Sequence, residues 1–446
     1  MQKNMSNKPG VYINSSLMSQ IKSSKIKLRA GSRSTMATVM QPRQFSLKPG
    51  FICTNSPAAR ELLIPQNSYK GYLEQDCLGI GPIVGILTIA NALGNRYSYP
   101  GGKKARMFKE MSSYALERGV LVYYFSPYGV NERNQVIKGY YLDDKKKWTT
   151  ALFPYPDIVY NRILSRNTES QAIVKRILSS FHRNPDMYVF NSRFLNKWEV
   201  YEAISKYPEA ISMVPESAKY SRENLRNMLK KHREVFLKPL HGSKGEGIVM
   251  VKSINHDTFA YARFDSLKWV RCNSLPKLYQ ELKKLHVNEV RYLIQQAIDL
   301  PRYKERVYDF RTQVQKNGEG KWVFTGCGVR IAGKNRFVTH IPNGGSMASL
   351  EQVISKNDYQ RIKDVFESQM REICLIIPRI LEKELKINLG ILSMDIGMDS
   401  NEKLFILEVN SKPASFDEDH IRKQHLEYLV DYFIYIGQKK YKRDDN

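Results

Sequence analysis

Ile391-Leu392-Ser393-Met394-Asp395-Ile396-Gly397, followed after a polar break by Phe405-Ile406-Leu407-Glu408-Val409-Asn410, decides how this chain is read. Both segments are apolar and β-prone, and Asp399-Ser400-Asn401-Glu402-Lys403 between them has the composition of a turn. A symmetric hairpin with its loop around Ser400 to Lys403 sets Asp395 opposite Glu408. Strand side chains alternate with period two, so Asn410 shares the face of Glu408. Two carboxylates opposed on an apolar hairpin repel. A divalent cation between them removes the conflict. Two carboxylates and an amide carbonyl are hard oxygen donors of the kind Mg2+ takes, with phosphate oxygens and water completing its shell. Asp395, Glu408 and Asn410 are therefore candidate magnesium ligands. The competing reading is a solvated hairpin face with incidental acids.

Working outward, Val235-Phe236-Leu237-Lys238-Pro239-Leu240-His241-Gly242-Ser243-Lys244-Gly245-Glu246-Gly247-Ile248 reads as a strand, a Gly/Ser loop and a second strand. Glycines let backbone N–H groups approach an anion closely. Lys238 lies within an apolar strand, where an unpaired ammonium is costly and a phosphate partner would account for it. The loop is not a Walker A motif, because a strand rather than a helix follows it. A tight turn with one snorkelling lysine is the plain alternative. Arg291 to Leu300 reads as a strand running into an extended segment, whose main chain is suited to an adenine in an interlobe cleft; alone, it is better read as an ordinary buried strand. Asp309 and Arg311 share one face of a strand, Arg330 ends the next (Trp322 to Ile331), and Asn343-Gly344-Gly345-Ser346 follows. An arginine fork matches phosphate oxygens, whereas an Asp309–Arg311 surface ion pair is the commonplace reading.

The 446 residues allow two to four domains, and 42% hydrophobic residues are enough for folded cores. The net charge of +26 favours acidic partners. The lysines and arginines are spread along the chain and no RNA- or DNA-binding signature occurs, so nucleic acid is disfavoured. Five cysteines without C-x-x-C spacing argue against a disulfide framework or a structural zinc site, and for a reducing compartment at synthesis. Neither a secretion signal nor a membrane span is expected.

Residues 1 to about 10 read as a disordered tip, and the stretch to about Pro65 as short β-like segments. Tyr72 to Cys77 reads as a linker. Strands at Ile83–Thr88, Val120–Phe125 and Asp157–Tyr160 alternate with helices at Lys104–Arg118 and Thr168–Phe181, the latter capped by Asn167. A hairpin turning at Asp143-Asp144 and a C-terminal helix, Phe416 to Gly437, complete the pattern, with a frayed tail from Lys439.

Taken in order, Lys197, Lys238 with its Gly-rich hairpin, the extended strand, the arginine strand and Asp-Glu-x-Asn resemble the ATP-grasp superfamily. Within it, Phe190-Asn191-Ser192-Arg193-Phe194-Leu195-Asn196-Lys197-Trp198, Asp309-Phe310-Arg311 with Gln315-Lys316, and Trp322…Gly326…Arg330 are similar to the YheC/YheD-like group of endospore coat-associated proteins. The resemblance covers about residues 80 to 435. It implies an α+β fold in which two α+β lobes clamp ATP, after a small α/β pre-ATP-grasp domain and a β-rich N-terminal module. The expected divisions are 1–75, 76–187, 188–300 and 301–446.

The resemblance also implies roles. Lys197 and Lys238 contact ATP phosphates, and Gly242, Ser243, Lys244, Gly245 and Gly247 belong to the loop that closes over them. Gln296, Ala297 and Ile298 form the adenine hinge, with Gln296 standing where many relatives have Glu. Arg311 and Arg330 serve the γ-phosphate and an acyl phosphate, and Asp395, Glu408 and Asn410 hold Mg2+. The implied activity is an ATP-dependent carboxylate–amine or carboxylate–thiol ligase acting on an acidic small molecule, peptide or polymer. The protein would be cytoplasmic at synthesis and then associate with the spore coat and its proteins. The alternative is a non-catalytic ATP-binding or structural coat protein.

Overall fold

The computed structural model describes residues 8–42, 45–74, 76–89, 105–242, 245–264, 268–334, 339, 345–355, 358–413 and 418–441. Six strands, Gly10–Ile13, Lys25–Ala30, Arg33–Met40, Phe51–Thr54, Ser68–Glu74 and Cys77–Ile80, close into a barrel. Lys25–Ala30 shows why. Ile26, Leu28 and Ala30 point inward while Lys25 and Lys27 stay in water, so a polar-looking strand still builds a core. Strand pairing overturns the expected linker at Tyr72–Cys77: Tyr72 pairs with Gly79 and Glu74 with Cys77, so this stretch holds the end of one barrel strand and the start of the next. The last strand carries the barrel to Ile80. At the hairpin Gly31–Ser32, Gly31 has φ +53°, and a Cβ there would lie 2.1 Å from the Tyr155 carbonyl oxygen. Ser32 and Tyr155 exchange two 3.0 Å hydrogen bonds, docking the barrel on the next layer.

That layer is a sheet ordered Trp148–Pro154, Val136–Leu142, Leu121–Phe125, Ile83–Leu87, Ile158–Asn161, Tyr188–Phe190. Its last four strands are parallel. Every residue of Ile83–Leu87 and of Leu121–Phe125 is buried, as expected of strands covered on both faces. The helix expected from Thr168 to Phe181 is two, Arg166–Glu169, capped by Ser165 rather than Asn167, and Ala172–Arg183, because the backbone at Gln171 is extended. The C-terminal helix runs from Asp419 to Tyr441, later than expected, and packs Leu429, Val430 and Phe433 against this layer.

Two further sheets follow. The first is antiparallel, ordered Ser217–Lys219, Tyr292–Gln296, Glu234–Pro239, Val249–Ser253, Phe259–Arg263, Trp269–Cys272. Helices Arg222–His232 and Leu275–Lys284 pack Leu225, Leu229, Leu278 and Leu282 onto it. The second is ordered Ser346–Ala348, Trp322–Ile331, Arg306–Lys316, Ile391–Met398, Leu404–Asn410. Helices Tyr359–Leu385 and Lys197–Ser205 share its apolar core with Phe310, Val314, Val329, Leu392, Met394, Ile396 and Ile406. No helix among the described residues is long and apolar enough to cross a membrane.

Candidate active site

Period-two alternation gives the second sheet two unlike faces. Tyr308, Phe310, Thr312 and Val314 turn one way, and Asp309, Arg311, Gln313 and Gln315 the other. The register extends this polar row across the sheet. Asp309 pairs with Arg330, Arg311 with Gly328 and Asp395, Gln313 with Gly326 and Ser393, and Ser393 with Asn410. Gln313, Gln315, Asp309, Arg330 and Asp395 are all at most 7% exposed. So much buried polar surface is stable only when its groups are hydrogen-bonded or face a polar ligand.

Asp395 stands opposite Glu408, as the sequence predicts, but the hairpin does not close as expected. From the turn inward, Met398 pairs with Leu404, Gly397 with Phe405 and Ile396 with Ile406; Asp395 then pairs with Glu408. Leu407 is an extra residue, a β-bulge that advances the register by one. The Asp399 carboxylate fixes the tight turn by accepting from the N–H groups of Asn401 and Lys403, both at 2.9 Å.

The expected repulsion between these acids is already relieved by protein cations. Arg311 Nη1 lies 2.9 Å from Asp395 Oδ1, Arg330 Nη2 lies 3.0 Å from Asp395 Oδ2, and Lys197 Nζ lies 3.0 Å from Glu408 Oε1. The commonplace Asp309–Arg311 surface pair does not form. Instead Arg330 donates through Nε and Nη2 to the two Asp309 oxygens, each at 3.0 Å. Burial works against the Arg330 charge, yet Asp395 and Asp309 outweigh it and hold the guanidinium above its ordinary pKa. The Asn410 Oδ1 accepts from the Lys412 N–H at 3.0 Å.

Between the two sheets lies a cavity of about 670 Å³. Phe236, Ile248, Met250, Val307 and Leu407 give it apolar walls; Gln295 to Leu300 form its edge, and Lys238, Asp309, Asp395 and Glu408 its polar end. Lys238 is 9% exposed and donates from Nζ to Gln295 Oε1 and, at 3.4 Å, to the Leu407 carbonyl. Burial pushes this ammonium down to about 8; Lys197 adds to the fall, while Glu408, Asp395 and Asp309 oppose it. At the hinge, the Gln296 N–H donates to the Glu216 carbonyl (2.8 Å) and Ala297 N–H to that of Glu234 (3.2 Å). The Gln296 side chain accepts from the Glu216 N–H at 3.2 Å, so it is partly committed to the scaffold.

Lys197 is the first residue of a helix capped by Asn196 and Glu199, and its Nζ also donates to the Gly242 carbonyl at 2.9 Å. It thus ties the start of the Gly-rich loop to Glu408. Gly245 and Gly247 have φ +79° and +75°, which suits glycine. Ser243, Lys244, Asn343 and Gly344 lie outside the described residues. The structure therefore gathers Lys238, Gln296, Ala297, Ile298, Asp395 and Glu408 around one cavity. Lys197, Arg311 and Arg330 stand behind its acids, and Asn410 lies two pairs further along the strand. The sequence does not show that Gln295 meets Lys238 or that Glu216 holds Gln296, since these partners come from segments far apart in the chain.

Two antiparallel-sheet lobes closing on a cavity, with a buried lysine on one side and an Asp-Glu pair on the other, define an ATP-grasp architecture. A sequence profile described as YheC/D-like ATP-grasp matches residues 186–436, and the chain belongs to that family. It is 26% identical over 392 residues to the endospore coat-associated protein YheD of Bacillus subtilis, covering 85% of this chain and 84% of that one. It is 23% identical over 311 residues to the endospore coat-associated protein YheC of the same organism, covering 68% and 84%. Among solved structures it is similar to D-alanyl-alanine synthetase A from Vibrio cholerae, at 12% identity and TM-score 0.43, over 81% of this chain and 98% of that one.

Proposed function

We propose that the cavity binds Mg-ATP and that the protein is an ATP-dependent ligase that activates a carboxylate as an acyl phosphate. The observation that carries this is the Asp395–Glu408 pair, set in register on a polar sheet face and opening into the same cavity as buried Lys238. The apolar walls suit an adenine, with the backbone of Gln296, Ala297 and Ile298 along its edge. Lys238 and Lys197 stand where they would hold phosphate oxygens as point charges. The donor set fits Mg2+, since Asp395, Glu408 and Asn410 lie on one face and are hard oxygens. That ion, when bound, would neutralise charge developing on the transferred phosphoryl group.

In this reading a substrate carboxylate attacks the γ-phosphorus in line, the P–O bond to ADP breaks, and an amine or thiol then displaces phosphate from the acyl carbon. Arg311, about a fifth of whose side chain is exposed, is better placed than Arg330 to meet a phosphate. Arg330 acts through Asp395 by fixing its carboxylate. The Gly242–Gly247 loop would exclude water from the acyl phosphate. The net charge of +26 suits an acidic small molecule, peptide or polymer.

One observation favours a second reading. Lys197, Arg311 and Arg330 already neutralise the two acids, so the fold is electrostatically complete without a metal. A scaffold that binds ATP without turnover, or a purely structural coat protein, is consistent with that and with the names of the B. subtilis relatives. The test is ATP binding and phosphate release with and without Mg2+, for the wild type and Glu408→Ala, over a panel of amino acids and acidic peptides. Substrate-stimulated phosphate release that is lost in the variant supports a ligase. Absence of Mg-ATP binding by the folded protein overturns it.

A further inference from the structure

Arg162 immediately follows the strand Ile158–Asn161, and its backbone N–H donates to the Leu87 carbonyl at 2.8 Å. This is where the order of the parallel sheet reverses. Ile83–Leu87 has its successor, Leu121–Phe125, on one side and Ile158–Asn161 on the other. The crevice outside the carboxyl ends of strands at such a reversal is the usual ligand site of open parallel sheets.

The Arg162 side chain is buried, with the residue 5% exposed. Nη1 donates to the Pro413 carbonyl at 2.6 Å, Nη2 lies 3.9 Å from Met107 Sδ, and the guanidinium sits 5.7 Å from the centre of the Tyr160 ring. Among the described residues no carboxylate pairs with it. Three acids of the adjoining segments are spent on other groups. Glu169 takes Lys412, the Asn161 amide and the Phe194 N–H, while Glu110 and Asp419 take Arg422. A guanidinium carries five N–H donors, and a buried one without a counter-ion is strongly unfavourable. Pro413 lies three residues beyond Asn410, so this unmatched cation borders the far end of the acid-bearing hairpin.

We propose that Arg162 is the receptor for a substrate carboxylate other than the group that reacts. The substrate class is then an amino acid, dicarboxylic acid or peptide with a free carboxylate. The inference rests on the ligase reading of the same site. Pairing selects the anion: among the described residues Lys412 is paired with Glu169, whereas Arg162 has no carboxylate partner. One carboxylate matches it, with the planar fork suited to two parallel hydrogen bonds, whereas a dianionic phosphate would be left short of cations.

The test uses the full chain with Mg2+ and a non-hydrolysable ATP analogue. Glycine, glutamate and glycylglutamate are titrated calorimetrically, each as the free acid and as the C-terminal amide. At least one free acid should bind about 30-fold or more tightly than its amide, as loss of a buried charged hydrogen bond implies. Arg162→Met should abolish that preference and Arg162→Lys should retain part of it. Arg162→Met should also melt no lower than wild type, because it removes an unpaired buried charge; a purely structural latch to Pro413 would make it melt lower. Equal binding of acids and amides, no binding of any probe by folded wild type, or a lower melting temperature with the acid preference intact overturns the proposal. Acid-selective binding by a protein that binds no nucleotide would leave Arg162 its role and remove the ligase reading instead.

Discussion

Asp395 and Glu408 face each other across their hairpin because Leu407, one residue before Glu408, has no partner. Without that bulge Asp395 would pair with Leu407, and Glu408 would fall out of step with the polar face. One unpaired leucine thus aligns the two acids with Asn410 and with the cavity that Lys238 enters.

Glu408→Gln keeps the shape of the side chain and removes its charge. Mg2+-dependent nucleotide affinity should fall by about 10- to 100-fold or more. Affinity measured with Mg2+ chelated should change little. The lost Lys197 pair is partly exposed, so stability should stay within about 1 kcal/mol of wild type. Calorimetry with and without Mg2+, together with a melting curve, checks all three.

Lys238 sets a pH dependence. Its ordinary value is 10.5 and burial brings it to about 8, so the folded protein sheds this proton before the unfolded chain does. Stability of the ligand-free protein should therefore rise, not fall, between pH 8 and 10.5. Nucleotide binding runs the other way, because phosphates need the charged lysine. The apparent Kd should increase about fivefold from pH 8 to pH 9. Burial also brings Lys412 to about 8, so a comparison is needed. Lys238→Arg, which stays charged, should bind with a flat profile; a slope that survives in this variant belongs to another group.

Arg330 is pinned between Asp309 and Asp395, which are 5% and 7% exposed. Arg330→Leu takes the cation from buried Asp309 and one of two from Asp395, which keeps Arg311, and should cost about 3–5 kcal/mol in urea unfolding. Adding Asp309→Leu should recover a large part of that loss. If Arg330→Leu folds within about 1 kcal/mol of wild type yet loses turnover, Arg330 is catalytic directly rather than through Asp395.

His425 should govern part of the acid sensitivity. It is partly buried, it contacts the Gln313 and Gln315 side chains, and loss of solvation with the nearby Arg162 charge lowers its pKa from 6.5 to about 3. Between those values the unfolded chain binds the extra proton, so stability falls as pH drops through 6.5. From pH 7 to pH 5 the loss should be about 2 kcal/mol. His425→Gln should flatten that step in urea midpoints measured at the two pH values. Equal steps in both proteins would place the sensitivity elsewhere.

Much of this was legible in the residues. Period-two alternation in Ile391–Gly397 and Phe405–Asn410 identified two strands and their polar side chains, since burial on one face leaves a direct mark on sequence. The Gly/Ser loop after Lys238 and the alternating strands and helices between Ile83 and Phe190 were equally plain. The join between the barrel's strands at Ser68–Glu74 and Cys77–Ile80 was not, because the half-exposed end of the first strand reads as a linker.

By itself the sequence determined which side chains share a face, because alternation is a local property of the backbone. Only the tertiary structure decided what those side chains meet. The three cations that neutralise Asp395 and Glu408, the Gln295 partner of Lys238 and the Pro413 contact of Arg162 all depend on segments far apart in the chain. Charges and hydrogen bonds act through space, and the distances between those segments are set by packing of the cores beneath them.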